Sequence, residues 1–306
     1  MGSLRRRTTA IATVPVLLGV LLCTPLSAAT DGTLRIGIFA DLHAHDTNSP
    51  LDHFVLVGWQ ERLAACVTAM NAWPADLMIQ LGDFVNGRFV LGAELGDPER
   101  IPAILAAADA VYAGFDGPRL HVLGNHDVGD LTKDEFLDLV DVERTTLSVD
   151  IGGYHIVVLD AQYRPDSSDR GDEFWYMPGF VSPSRLAWLR ADLEASNAPT
   201  IVCLHQRLDL DYEVRHGGPE VLNHLEVRDV LRADGDVIAV FQGHDHWGGY
   251  TMIDGIHYIT FRSLMDRTGG VPPTWAQVTL DPVASTIEVS GEGEQEDYLL
   301  RYPGEE

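Results

Sequence analysis

The stretch VLGNHDVGD, residues 122–130, decides how the chain is read. It continues the strand-like run RLH, yet Gly124, Asn125, His126 and Asp127 neither pack a core nor favour a helix. Gly124 permits a tight exit from a strand, and the next three residues offer an amide, an imidazole and a carboxylate at one point. Five further apolar, β-branched runs read as strands: LRIGIFADLH, DLMIQLGD, YHIVVLDAQ, TIVCLHQR and DVIAVFQGHDHW. Five of the six runs end in acid, histidine or amide residues where the chain would leave a sheet. These are Asp41 and His43; Asp83; Asn125, His126 and Asp127; His205; and His244 with His246.

Helix-like segments lie between the runs: Phe54 to Trp73 closed by Pro74, Pro98 to Ala113 closed by Gly114, Ser182 to Ala195, and Pro219 to Arg232. Strands that alternate with helices give an α/β fold with a sheet covered on its faces. Toward the end, Tyr250–Ile253, Ile256–Phe261, Ala276–Leu280 and Thr286–Ser290 read as a β-meander, with turns at Asp254-Gly255 and Asp281-Pro282. The meander suggests a second sheet within one domain, residues 30–290, followed by an acidic surface tail, residues 291–306.

In an open α/β sheet, residues at strand ends converge on the ligand crevice. Imidazole with carboxylate or amide oxygen suits Zn, Fe, Mn and similar divalent ions, whereas a calcium site would be nearly all oxygen. Asp41, His43, Asp83, Asn125, His205, His244 and His246 are too many ligands for one ion and about right for two. Alone, each piece has an ordinary reading: His205 as a core histidine, GHDH as a solvated loop. The ordered set, each member ending a strand, favours a metal site.

Asp-x-His, Gly-Asp, Gly-Asn-His-Asp, a lone His and Gly-His-x-His, in that order over Ile36 to Trp247, resemble the signature of the calcineurin-like metallophosphoesterase superfamily. The resemblance implies a four-layer α/β/β/α sandwich of two mixed sheets flanked by helices. It implies that Asp41, His43 and His246 hold one divalent ion, that Asn125, His205 and His244 hold the other, and that Asp83 bridges them. It also implies a catalytic His126, which stabilises the equatorial oxygens of the phosphoryl group or protonates the leaving alkoxide. The protein phosphatases of the superfamily carry an Asp three residues after the bridging Asp, and the purple acid phosphatases a tyrosinate; this chain has Asn86 there. That departure leaves Asp127 as a candidate partner of His126, and it implies a colourless enzyme. The motif set looks most like the small phosphodiesterase and nucleotide-pyrophosphatase members. A phosphomonoesterase and a non-catalytic metal-binding scaffold of the same fold are the alternatives.

Substrate choice would lie outside the metal blocks, in AHDTNSPLDHF and in YRPDSSDRGDEFWYMPGF with Trp175 and Tyr176; Arg88, Arg262 and His45 could face substrate or serve the surface. His53, His121, His155, His216, His224 and His257 read as structural or surface groups.

Residues 1–29 read as a signal peptide: Arg5-Arg6-Arg7, an apolar run from Ile11 to Leu22, and Ser27-Ala28-Ala29 for cleavage. The run falls short of the roughly 20 residues that span a bilayer, and Pro15 interrupts it. A secreted protein, extracellular or periplasmic, with no membrane anchor after cleavage is the expectation. Losing the leader removes three arginines and no acid, which takes the formal charge from −25 to −28. Such a charge repels nucleic acid and anionic membranes, and the resemblance implies a small phosphoester as the partner. Cys66 and Cys203 remain, both in apolar runs, and read as buried thiols with a bridge as the alternative.

Overall fold

A computed structural model of the chain describes residues 32–48, 55–90, 93–94, 97–171, 178–210, 220–265 and 269–302. The leader, His53, His216, Trp175 and Tyr176 lie outside the described residues. Strand β1 (Leu34–Phe39) leads to helix α1 (Trp59–Ala72) and β2 (Leu77–Gln80). A short ribbon, β3 (Phe89–Val90) and β4 (Ala93–Glu94), precedes α2 (Ile101–Tyr112) and β5 (Arg119–His121). Helix α3 (Lys133–Val140), hairpin β6 (Leu147–Ile151) and β7 (Tyr154–Val158), α4 (Pro183–Ala195), β8 (Thr200–Cys203), α5 (His224–Asp234) and β9 (Val237–Gln242) follow. The last strands are β10 (Gly249–Ile253), β11 (Ile256–Thr260), β12 (Trp275–Asp281), β13 (Thr286–Glu292) and β14 (Tyr298–Arg301).

Two six-stranded mixed sheets result, in the orders β14-β13-β12-β1-β2-β5 and β10-β11-β9-β8-β7-β6. Residues of the two sheets form one core cluster: Ile36, Ile38 and Ile79 from the first, Ile156, Ile201, Phe241 and Ile259 from the second. The intervening residues pack the other way. Phe39 and Met78 join Leu63, Met70, Leu105 and Tyr112 of α1 and α2, and Val157, Val202 and Val240 join Leu189, Val227 and Leu231 of α4 and α5. Helices therefore cover both outer faces, which makes the expected α/β/β/α sandwich. With both faces of each sheet buried, the central strands read as continuous apolar runs instead of alternating ones.

The meander is divided, which corrects the reading of it as one additional sheet. β10 and β11 extend the second sheet, with β11 parallel to β9 (His257 opposite Ala239). β12 crosses to pair antiparallel with β1 (Ile36 opposite Val278). The tail is also more ordered than its acidity suggested, because Tyr298–Arg301 pair with Val289–Thr286 as the outermost strand. Alternating burial explains this: Ile287 and Val289 of β13 enter the core, and Tyr298 and Leu300 of β14 pack against it.

Cys66 lies under the helices of the first sheet and Cys203 between the sheets. Both are buried and free, and burial raises both thiols. The two do not form a bridge.

His155 of β7 ties the hairpin to α4: its Nδ1 meets Asp150 Oδ1 at 2.7 Å and its Nε2 meets Asp192 Oδ2 at 3.1 Å. Burial disfavours the cation, but the two carboxylates outweigh it and raise this imidazole above its ordinary 6.5. The ion pairs therefore stabilise the fold fully below about pH 6, and that contribution is lost as pH rises through the raised folded value. Asp150 is exposed, so the effect is small, on the order of 1 kcal/mol or less. Thermal unfolding followed from pH 5.5 to 8.5 should show this slope in the wild type and a flatter profile in His155→Gln.

Candidate metal centre

The crevice forms where parallel strands of both sheets end together. β1 runs parallel to β2, β2 to β5, and β8 to β7 and β9. The loops that leave these ends are laced to one another: Asp41 N–H donates to Gly82 O (3.0 Å), His43 N–H to Asp83 O (2.9 Å) and Gly243 N–H to His205 O (3.0 Å). Asp41, His43, Asp83 and His244 adopt left-handed backbone, with φ of 53°, 48°, 52° and 67°. Non-glycine residues avoid this region, and holding one there costs about 1–3 kcal/mol. Four strained residues in one crevice point to a site maintained for its chemistry.

Gly124 is required by contact. A Cβ there would sit 2.1 Å from Asp83 N and 2.2 Å from Asp83 Oδ1. Gly82, at φ 95°, would drive a Cβ to 2.5 Å from His205 Nδ1.

Six of the seven expected ligands come together in two groups. Asp41, His43 and His246 form one and Asp83, His205 and His244 the other, while His43, Asp83 and His126 make a third group that overlaps both, with the potential ligand atoms of each within 4.8 Å of one another. One oxygen of Asp83 faces both groups, 3.6 Å from His43 Nε2 and 3.1 Å from His205 Nε2. The seventh, Asn125, is buried between Gly124 and His126, and its Oδ1 has no hydrogen-bond partner among the described residues. Asp41 Oδ1 is buried facing His246 Nε2 at 3.5 Å and His43 Nε2 at 3.8 Å. Imidazole nitrogens face each other at 3.1 Å in both groups, His43 Nε2 to His246 Nε2 and His205 Nε2 to His244 Nδ1. That spacing suits a single N–H···N hydrogen bond and suits equally two nitrogens bound to one cation. Two nitrogens on one ion, at metal–nitrogen distances of about 2.0–2.1 Å and angles between octahedral and tetrahedral, stand about 3.0–3.4 Å apart. The donor types, the orphaned Asn125 oxygen and these spacings fit divalent ions.

The ligands are fixed from behind. His43 Nδ1 meets Asn86 Oδ1 at 2.9 Å, His205 Nδ1 meets Leu81 O at 2.8 Å, and His244 N–H donates to Asp41 Oδ2 at 3.0 Å. The field favours positive charge. Burial would raise the carboxyls of Asp41 and Asp83, but the neighbouring imidazoles hold both well below the ordinary range. Burial disfavours the His205 cation, yet Asp83 and Asp41 raise it to about 9, while burial and the charge on His205 push His244 down to about 3.

His126 stands beside the ligands, its ring 4.6 Å from that of His43. Its N–H donates to Asp83 Oδ1 at 2.8 Å, and its Nδ1 meets the carbonyl of Asn86 at 2.5 Å. Burial lowers this imidazole, and Asp83 opposes the shift. Asp127, expected as a partner for His126, is turned elsewhere. Its Oδ1 accepts from Phe84 N–H (2.8 Å) and Val85 N–H (3.0 Å), and its Oδ2 from Gly124 N–H (2.8 Å). Three buried backbone donors take up both oxygens, so Asp127 clamps the loop after β2 to the loop after β5. Burial and the charge of Asp83 push its carboxyl up to about 7.

Arg88 pairs with Asp130 at 3.1 Å and Arg262 with Glu296 at 2.8 Å, the surface roles their positions allowed. His45 is buried with its Nδ1 3.0 Å from the backbone of Thr47. From its place three residues past Asp83, Asn86 reads as a departure whose amide could orient the His126 ring; in the structure that amide oxygen meets His43, and the backbone carbonyl of Asn86 meets His126.

A profile of calcineurin-like phosphoesterases matches residues 34–248. The chain belongs to this family. As a calcineurin-like phosphoesterase it is a metal-dependent hydrolase of phosphoester bonds, and its two His/Asp clusters could hold a dimetal site. It resembles a manganese-dependent ADP-ribose/CDP-alcohol diphosphatase of Arabidopsis thaliana, 22% identical over 309 residues that cover 87% of this chain and 96% of the relative. The protein of that name in Oryza sativa subsp. japonica is 26% identical over 199 residues, 52% of this chain and 61% of the relative. Among solved structures, a dimetal phosphatase from Danio rerio shares the fold with a TM-score of 0.67 at 18% identity, over 88% of this chain and 99% of that one.

Removing the Asp127 carboxylate strands three buried N–H groups at about 1–3 kcal/mol each. Asp127→Ala should therefore lower the unfolding free energy by about 3 kcal/mol or more. Asp127→Asn, which keeps one acceptor oxygen, should lower it by about 1–3 kcal/mol. Urea denaturation in the presence of a chelator measures both without a contribution from bound metal.

Proposed function

We propose that this phosphoesterase is a secreted enzyme that cleaves small diphosphates or phosphodiesters of the nucleotide type with water that two divalent ions would activate. The observation that carries the reading is the pair of His-His-Asp groups joined by one oxygen of Asp83. The two full-length or partial relatives named as diphosphatases support the substrate class. The acidic chain supports a small substrate over a nucleic acid, since it repels large polyanions.

In this reading Asp41, His43 and His246 bind one ion, Asn125, His205 and His244 the other, and Asp83 both. Two such ions, when bound, would supply a hydroxide at neutral pH and would neutralise the phosphoryl oxygens. The protein's own part is to fix the reacting groups. Asp83 holds His126 by its backbone N–H, and the carbonyl of Asn86 holds Nδ1. Once protonated at both nitrogens, His126 would stabilise the equatorial oxygens or give its Nε2 proton to the departing phosphate or alkoxide. Asn86 takes the orienting place that Asp127 was expected to fill. A carbonyl at Nδ1 favours the protonated ring less than a carboxylate would.

Export belongs to the same proposal and rests on the leader-like residues 1–29; the mature chain should begin near Thr30, which N-terminal sequencing of the exported protein determines.

Turnover of ADP-ribose and bis(p-nitrophenyl) phosphate should exceed that of p-nitrophenyl phosphate in the manganese-loaded enzyme. The reverse order would make it a phosphomonoesterase, and no turnover with two ions bound would make it a scaffold. His126→Ala should lower kcat by about 10²–10⁴ with both ions retained, whereas Asp83→Asn should abolish activity and lower the metal content from two per chain. Loss of metal in His126→Ala would show that His126 is a ligand.

A further inference from the structure

His244 and His246 belong to different ligand groups, yet only Asp245 separates them. The orientation of that one residue sets how both imidazoles enter the crevice. Asp245 is gripped from outside. Its Oδ2 accepts from Arg207 Nη1 at 2.8 Å, and its Oδ1 accepts from Trp247 N–H at 3.3 Å. Gly248 N–H donates to its carbonyl at 2.9 Å, closing a tight turn after His246.

Arg207 is itself immobilised. It lies two residues after His205, and its other two donors fork onto Asp209, Nε to Oδ1 at 2.8 Å and Nη2 to Oδ2 at 3.0 Å. Asp209 is buried and takes a further hydrogen bond from Gln242 Nε2 at 2.9 Å. Gln242, the last residue of β9, is fully buried, also donates to Thr260 Oγ1 at 3.0 Å, and accepts from Leu208 N–H at 2.9 Å. A rigid chain of contacts thus runs from the end of β9 through Asp209 and Arg207 to the residue between the two histidines.

We propose that Arg207, acting through Asp245, is the positioning residue that keeps His244 and His246 in separate groups, so that both ions are held as a coupled pair. This rests on the dimetal reading of the site. The two histidines do not depend on the clasp equally. His244 is buried and has its backbone N–H fixed to Asp41 Oδ2 at 3.0 Å. The His246 side chain is 18% exposed, and its carbonyl accepts from Ser263 N–H at a long 3.4 Å. Releasing the clasp should therefore loosen the His246 group and spare the His244 group. Lysine cannot replace Arg207, because the bond to Asp245 and the fork onto Asp209 need the planar guanidinium.

The test is Mn²⁺ titration of the full chain, followed by calorimetry and electron paramagnetic resonance, for wild type, Asp245→Asn and Arg207→Met. The wild type should bind two ions and show an exchange-coupled spectrum. Each variant should keep one ion, lose about 10–100-fold in affinity for the other, and show the signal of isolated Mn²⁺. Asp245 is partly exposed and Asn keeps its shape, so Asp245→Asn decides the matter if Arg207→Met does not fold. Wild-type affinity and coupling in Asp245→Asn, or equal weakening of both ions, overturns the proposal with the dimetal reading intact. A wild type that binds fewer than two ions overturns the dimetal reading and the clasp with it.

Discussion

Two pairs of imidazole nitrogens, each 3.1 Å apart and buried beside the carboxylates of Asp41 and Asp83, are the constraint on which the rest of the molecule depends. Each pair is spaced for an N–H···N hydrogen bond or for a shared cation, and the arrangement recurs in both ligand groups. The left-handed backbone of Asp41, His43, Asp83 and His244 shows the cost at which it is maintained. The neighbouring contacts are consistent with that cost: loops laced backbone to backbone, a glycine at each close approach, and Asp127 spanning two loops.

The sandwich supplies the rigidity. Strands buried on both faces fix the points from which the loops depart, so each ligand leaves a well-anchored end and stands two to four residues beyond it. His205 shows the economy of this design. It follows β8 by two residues, is fully buried, and is oriented by the carbonyl of Leu81 from the opposite sheet. The sheets must be packed before the ligand groups can exist.

The strands and the crevice were legible because apolar runs that end in Asp, His and Asn are rare and mark both features at once. What was not legible depended on partners distant in sequence. The split of the meander follows from which sheet β12 meets, and an antiparallel strand of the pattern WAQVTLD is equally suited to either. The strand β14 was hidden by the acidity of its neighbours, although Tyr298 and Leu300 alternate as a half-buried edge strand should. Helix α3 was overlooked despite a local signal: Thr132 and Glu135 form a reciprocal capping box. Asp127 beside His126 reads as a catalytic partner, and only the fold shows that its oxygens are used by backbone N–H groups. Asn86, read as a substitution, holds two histidines at once.

The pairing of β1 with both β2 and β12 gives the chain a long-range topology. Ile36 lies opposite Leu77 on one side and opposite Val278 on the other. Strand β1 thus has one open edge until β12, which begins at Trp275, has been made. Loop closure over such a separation is slow, and an unpaired apolar edge invites association with other chains. The same strand leads to Asp41 and His43, so the pairing that closes its open edge also secures the base of one ligand group. A chain cut before β12 would carry all seven ligands and leave the strand that positions two of them unpaired on one side.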